Sequence, residues 1–203
     1  MRPLDIRVYK TQLREKVKAS RGKLDAELKE KMDRCIADNV RRLYQYKSCD
    51  TILAYSSTKI EVGTKRIIEN AWADGKKVAL PRCIPGTYLM EFHYITEFEQ
   101  LEKGTFSVLE PAEQLPIVED FKGCLMIIPG LMFDRFGYRL GYGKGYYDRY
   151  MSRFTGTTVG VCYSEDIIYR MYHGRYDRPV STLVSEKWIK KPIAKHSKIG
   201  VTV

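Results

Sequence analysis

The sequence predicts an α/β fold, a single-domain three-layer α/β/α sandwich, and three observations carry that prediction. Helix-spaced and strand-like segments alternate along the chain; one strand candidate is apolar along nearly its whole length; and no proline-rich linker, low-complexity segment or internal repeat divides the chain. With 203 residues, 44% of them apolar, the chain is long enough to bury one continuous core.

From Asp5 to about Tyr46 the apolar residues Leu13, Val17, Leu24, Leu28, Met32, Cys35, Ile36, Val40 and Leu43 fall mostly three or four apart, which is helical spacing. Gly22 interrupts the pattern and Leu24-Asp25-Ala26-Glu27 restarts it, so two helices are expected. Thr51 to Tyr55 reads as a strand, Thr64 to Asp74 as a helix burying Ile67, Ile68, Ala71 and Trp72 with Gly75 at its exit, and Lys77 to Pro81 as the next strand. That succession is a βαβ unit. Tyr88 to Ile95 and Phe106 to Leu109 read as shorter strands. Cys124 to Ile128 is an apolar run of the kind a sheet covered on both faces requires. A helix is expected after Tyr146, a strand over Thr158 to Cys162 behind Gly156, and an edge strand over Ser181 to Val184. The domain is expected to span residues 1–190, with residues 191–203 as a peripheral tail lacking periodicity.

No stretch approaches the roughly 18 uninterrupted apolar residues of a membrane span, and the charged N-terminus is unlike a signal peptide, so a soluble protein without a membrane partner is expected. Cys35, Cys49, Cys83, Cys124 and Cys162 are widely spaced without a CxxC pair, which suits reduced thiols in a reducing, cytoplasmic compartment better than a zinc site. The net charge of +10 favours anionic partners without choosing among nucleotide, nucleic acid and polycarboxylate.

The most informative stretch runs from Pro129 to Tyr150. Gly137, Gly141, Gly143 and Gly145 permit positive φ and leave no Cβ in the way, so successive N–H groups can converge on an anion. A strand before this loop and a helix after Tyr146 place the concavity where a phosphate is favoured, and Arg139 and Lys144 add cations. Gly143-Lys144 is followed by Gly145 rather than the Ser or Thr of a Walker loop, and no GxGxxG occurs. A glycine-rich turn serving chain geometry alone stays open, as does Asp148 as an ordinary first-turn helix carboxylate.

Arg139-Leu140-Gly141-Tyr142-Gly143-Lys144-Gly145-Tyr146-Tyr147-Asp148 resembles the signature of the 5-formyltetrahydrofolate cyclo-ligase family. The likeness extends to the basic N-terminal helix with Lys10 and Arg14, the Ser56 to Thr64 segment with Glu61-Val62, Leu80-Pro81-Arg82, Met90-Glu91-Phe92, Leu109-Glu110-Pro111 and Ile128-Pro129-Gly130.

The resemblance implies a mixed, mostly parallel sheet and a glycine loop, Arg139 to Tyr147, that holds the ATP triphosphate, with Lys10 and Arg14 reaching across to the nucleotide. It implies that Glu61, with Ser56 beside it and Tyr146 at the glycine loop, holds the folate. Asp148 matches the family's magnesium ligand. Aligning Ser185-Glu186 with the family's Thr-Glu makes Asp177 the second ligand, with Tyr176 where the family has His and Ser181 where it has Asp. His93, His173 and His196 show no ligand spacing and are expected to be structural or surface residues.

The reaction implied is ATP-dependent closure of 5-formyltetrahydrofolate to 5,10-methenyltetrahydrofolate, with Mg2+ as cofactor and with Arg139, Lys144 and Tyr146 at the reacting groups. The expected partners are ATP and a reduced folate, without nucleic acid, and the expected state is a monomer. Two other readings compete: a basic nucleic-acid module using the interleaved Tyr and Arg of Arg139 to Arg153, and a kinase acting on an unrelated small molecule.

Overall fold

A computed structural model describes residues 5–105 and 108–193. Helix α1 (Ile6–Arg21) starts at Asp5, whose carboxylate accepts the N–H groups of Arg7 and Val8, and α2 (Ala26–Arg42) starts at Asp25, which caps Leu28 in the same way. The helical pattern does not run on unbroken to Tyr46. Leu43, with ψ of 138°, breaks it, and a five-residue α3 (Tyr44–Ser48) follows. Strand β1 (Thr51–Leu53), helix α4 (Lys65–Ala73) and strand β2 (Lys77–Cys83) form the expected βαβ unit, and β3 (Met90–Ile95) returns antiparallel along β2.

A hairpin of β4 (Leu101–Lys103) and β5 (Leu109–Pro111) replaces the strand read at Phe106 to Leu109, of which residues 106 and 107 lie outside the described residues. Strand β6 (Cys124–Pro129) is followed by a short hairpin, β7 (Met132–Asp134) and β8 (Arg139–Leu140), that the glycine-rich composition concealed. Helix α5 (Tyr146–Met151), β9 (Thr157–Val161), the two-residue β10 (Ile167–Ile168), β11 (Thr182–Val184) and β12 (Ile189–Lys190) complete the described chain. β11 is not at the edge, because β12 pairs outside it. Residues 194–203 of the expected tail lie outside the described residues, and Ile193 donates its N–H to the Arg135 carbonyl at 2.8 Å.

The main sheet has seven strands in the order β12-β11-β9-β6-β1-β2-β3. β11, β9, β6, β1 and β2 run parallel, and the antiparallel β12 and β3 close its two edges. β6 is buried along its whole length, and its alternation feeds two cores. Leu125 and Ile127 join Ile52, Val78 and Leu80 beneath α2, α3 and α4, whereas Met126 and Ile128 join Leu53 and Ala79 on the other face, against Tyr150 of α5 and Phe133 of β7. The layers are unequal: α5 has six residues, and the β7 hairpin supplies part of its cover.

Phe133 fits because Gly130 and Gly160 lack side chains. A Cβ would stand 2.4 Å from its ring at the first and 2.6 Å at the second. No described helix is long and apolar enough to cross a membrane.

From β1 the chain moves to β2 on one side, and from β6 to β9 on the other. The carboxyl ends of β1 and β6 therefore flank a point where the strand order reverses, the place where open α/β sheets bind ligands.

Candidate active site

A cavity of about 580 Å³ opens at that point, and its floor comes from the ends of three strands: Tyr55 and Ser56 after β1, Pro81 and Cys83 in β2, Pro129 and Gly130 at β6. Helix α1 crosses above it. Lys10, Arg14, Val17 and Arg21 fall at helical spacing along one face, so one turn after another presents a cation or a core contact to the site. Arg21, only 6% exposed, fixes the far end of the helix. It donates to Asp166 at 2.8 Å and to the carbonyls of Ile60 and Leu131 at 3.0 and 2.7 Å, and it packs on the Tyr163 ring. Burial opposes its charge, but Cys162, Asp166 and Tyr163 around it leave its pKa above the usual value.

The glycine loop is held from behind by Asp134. This fully buried carboxylate accepts N–H bonds from Phe136, Tyr138 and Met171 at 2.9, 3.0 and 3.0 Å, closing the β7–β8 turn and aiming Arg139 inward. Arg139 is 8% exposed; one end of its guanidinium donates to Asp148 at 2.7 Å and its plane lies over the Tyr147 ring. Gly141 gives it room, since a Cβ there would stand 2.5 Å from Nη1 of Arg139. Gly143 and Gly145 have φ of +101° and +77°, so the loop turns through conformations that L side chains disfavour, and Gly145 leads directly into α5. Arg14 closes over this loop, donating from Nε to the Gly141 carbonyl at 2.8 Å. Burial lowers its pKa, with Asp177 acting the other way.

Every residue that the resemblance gives as a nucleotide, folate or metal contact lines this one cavity: Lys10, Arg14, Ser56, Glu61, the run from Arg139 to Asp148, and Asp177. The two carboxylates read as metal ligands are paired with cations. Asp148 holds Arg139 and accepts the Arg178 N–H at 3.2 Å; Asp177 forms an ion pair with Lys10 and accepts the Gly174 N–H at 2.9 Å. Among the described residues no three His, Cys, Asp or Glu side chains cluster as a metal cage would need. Two carboxylates in one cavity fit instead a hard cation held by one or two carboxylates together with phosphates.

Glu61 is 6% exposed and accepts the Thr58 N–H at 2.8 Å, beside Tyr142 of the glycine loop. Tyr146 donates its hydroxyl to the Thr87 carbonyl at 3.1 Å and lies beside Tyr88, while Lys144 is exposed. Tyr176 is 75% exposed and Ser181 bonds to Thr158 in the sheet, so neither replacement lines the cavity. His93 is buried with Nδ1 on the Leu115 carbonyl, and His173 stacks on Tyr138; His196 lies outside the described residues.

Sequence reasoning missed Glu110 and Cys83. Glu110, 6% exposed, accepts the N–H groups of Thr105 and Cys83 at 3.2 and 3.3 Å, and burial followed by Glu110 pushes the Cys83 thiol up to about 11. The available signal was Leu109-Glu110-Pro111, a charged residue in a strand whose partner β4 was not seen.

Comparison with known proteins follows the same lines. The model of the 5-formyltetrahydrofolate cyclo-ligase family matches residues 6–186. A probable 5-formyltetrahydrofolate cyclo-ligase of Schizosaccharomyces pombe is 34% identical over 129 residues, 62% of this chain and 63% of its own length. The mitochondrial 5-formyltetrahydrofolate cyclo-ligase of Arabidopsis thaliana is 31% identical over 149 residues, 66% of this chain and 52% of its own. The match thus spans less than two thirds of either relative. Among solved structures, the 5,10-methenyltetrahydrofolate synthetase of Aquifex aeolicus superposes with a TM-score of 0.80 at 30% identity, covering 95% of this chain and 97% of the other. That of Mycoplasma pneumoniae, at 23% identity, gives 0.70 over 87% and 98% and speaks to the fold alone. With the family model matching nearly the whole described chain, and with the parallel sheet and its cavity in place, this chain belongs to the 5-formyltetrahydrofolate cyclo-ligase family.

Proposed function

We propose that this chain catalyses the ATP-dependent cyclisation of 5-formyltetrahydrofolate to 5,10-methenyltetrahydrofolate, releasing ADP and phosphate. One observation carries the proposal. Residues 10, 14, 56, 61, 139–148 and 177, scattered over most of the sequence and matched to the family's nucleotide, folate and metal positions, converge on one cavity at the strand-order reversal.

The physical difficulty of the reaction is that an amide-like formyl oxygen is a poor leaving group. The formyl oxygen attacks the γ-phosphorus, forming an O–P bond as the P–O bond to ADP breaks. N10 then adds to the activated carbon, loses its proton, and phosphate departs with the original formyl oxygen. Such a transfer needs positioning and charge neutralisation more than a nucleophilic side chain.

Arg139 and Lys144 supply positive charge along the loop, and Lys10 and Arg14 supply it from α1. Glu61 accepts donors from the pterin edge, with Ser56 and Tyr146 beside it. Asp148 and Asp177 would hold magnesium, which neutralises phosphate charge when bound. In the structure described, these carboxylates satisfy the cations that the triphosphate would claim, so nucleotide and metal together replace two internal ion pairs.

The nucleic-acid reading loses support because, of the tyrosines between Arg139 and Arg153, Tyr150 is buried, Tyr146 and Tyr147 are half-buried and only Tyr142 is exposed, which does not make a stacking platform. The test is ultraviolet detection of methenyltetrahydrofolate from 5-formyltetrahydrofolate. Formation that requires both ATP and magnesium and yields one ADP per product supports the proposal, and turnover of ATP with some other acceptor alone would favour a kinase.

A further inference from the structure

Among the described residues, two of the few buried polar atoms without a hydrogen-bond partner belong to residues that line this cavity: the Tyr147 hydroxyl and Nε of Arg139. A buried group left unpaired is costly, and a protein retains such groups where a ligand completes them. Arg139 Nε can only donate. The Tyr147 phenol is packed against the Arg139 guanidinium, 5.4 Å from ring centre to Cζ, and it also senses Glu61 and Cys83. A phenol carries its proton at neutral pH, so this hydroxyl is available as a donor.

The position of Tyr147 is as telling as its chemistry. It follows the glycine loop, precedes Asp148, and is close enough to feel both Glu61 and Arg139. On the function proposed above, Glu61 holds the folate and Arg139 the phosphates, so a donor near both would face acceptor oxygens of the reacting groups. Tyr146, the tyrosine expected at the reacting groups, lines the same cavity and donates its hydroxyl to the Thr87 carbonyl.

Resting on the function proposed above, we infer that Tyr147 is a catalytic residue whose hydroxyl, beside Arg139 Nε–H, donates to an oxygen of the phosphoryl group as it passes from ATP to the formyl oxygen. The O–P bond to the formyl oxygen forms and the P–O bond to ADP breaks while Tyr147 keeps its proton. Its hydrogen bond strengthens as charge develops on the transferring group.

Tyr147→Phe removes the hydroxyl and leaves the ring under Arg139. The expected result is a fall in kcat of about ten- to hundredfold, with affinity for a non-hydrolysable ATP analogue changed by less than about threefold. ADP with aluminium fluoride, a mimic of the phosphoryl group in transfer, should bind about tenfold more weakly to the variant. The melting temperature should be unchanged or higher, since no internal hydrogen bond is lost.

Unchanged kcat would overturn the inference. So would a variant that fails to fold or melts more than about 4 °C lower with all affinities reduced, because the hydroxyl would then be structural. Absence of methenyltetrahydrofolate formation by the unaltered protein would instead remove the proposed function itself.

Discussion

Gly143 is the position where backbone geometry and nucleotide binding are tied most closely. Its φ is +101°, and a Cβ there would approach Nη2 of Arg14 at 3.2 Å. The arginine tip is flexible and can give way, so φ is the larger obstacle. For a β-branched residue the strained conformation costs about 1–3 kcal/mol. Gly143→Val therefore has two outcomes that share one total. If the loop keeps its path, the folded state bears that cost and the melting temperature falls by roughly 2–12 °C. If the loop leaves its path, the N–H groups no longer converge on phosphate and affinity falls by about 5- to 150-fold.

Residues 142–144 at the tip of the loop are exposed, so we expect the second outcome, with melting nearly unchanged. Gly75→Val is the control: its φ is +71°, nothing lies within 4 Å of its Cβ position, and it sits at the exit of α4. That variant should melt lower while binding the nucleotide within about twofold of the unaltered protein. Lys144→Ala keeps the backbone path and removes one point charge, so it should bind the analogue more weakly but lose more in kcat than in affinity. Calorimetric titration with a non-hydrolysable ATP analogue measures all three. Unaltered affinity in Gly143→Val would refute the phosphate-loop reasoning.

Asp148→Asn should abolish most activity and raise the magnesium requirement, yet leave affinity for metal-free ATP unchanged or improved, because Arg139 is released; a parallel loss of metal-free binding would show that the ion pair serves the fold. Asp177→Asn should behave alike but more weakly through Lys10. Glu61→Gln should raise KM for the folate about ten- to hundredfold with little change for ATP, and the reverse pattern in steady-state kinetics would exchange the two ends of the cavity. The Cys83 thiol, held at about 11 by burial and Glu110, should alkylate about a hundredfold more slowly at pH 8 than an ordinary thiol titrating at 9.0, with the rate still rising above pH 9. A plateau near pH 9 in iodoacetamide labelling followed by mass spectrometry would contradict that environment.

The parts of the fold readable in the sequence were those with regular period. Asp5 and Asp25 mark the starts of α1 and α2, and the unbroken run from Cys124 marks the buried central strand. What escaped was set by pairing between distant segments. Two-residue strands such as β8 and β10 have no period of their own; they exist because β7 lies between them. β12 is exposed and carries no apolar alternation, so β11 was read as the edge.

The candidate site followed the same division. The glycine loop announces itself through spacing, whereas the convergence of Lys10, Glu61 and Asp177 on it is a property of the strand order and became legible only through family likeness. Glu110 and the unpaired Tyr147 hydroxyl depended on burial, which no local pattern encodes.

The central claim is that the formyl oxygen itself receives the phosphoryl group, and isotope transfer tests it most directly. With 18O in the formyl group of 5-formyltetrahydrofolate, turnover with ATP and magnesium should yield inorganic phosphate carrying one 18O per methenyltetrahydrofolate formed. Label recovered in water, with unlabelled phosphate, would mean that ATP is hydrolysed apart from the folate and would contradict the account.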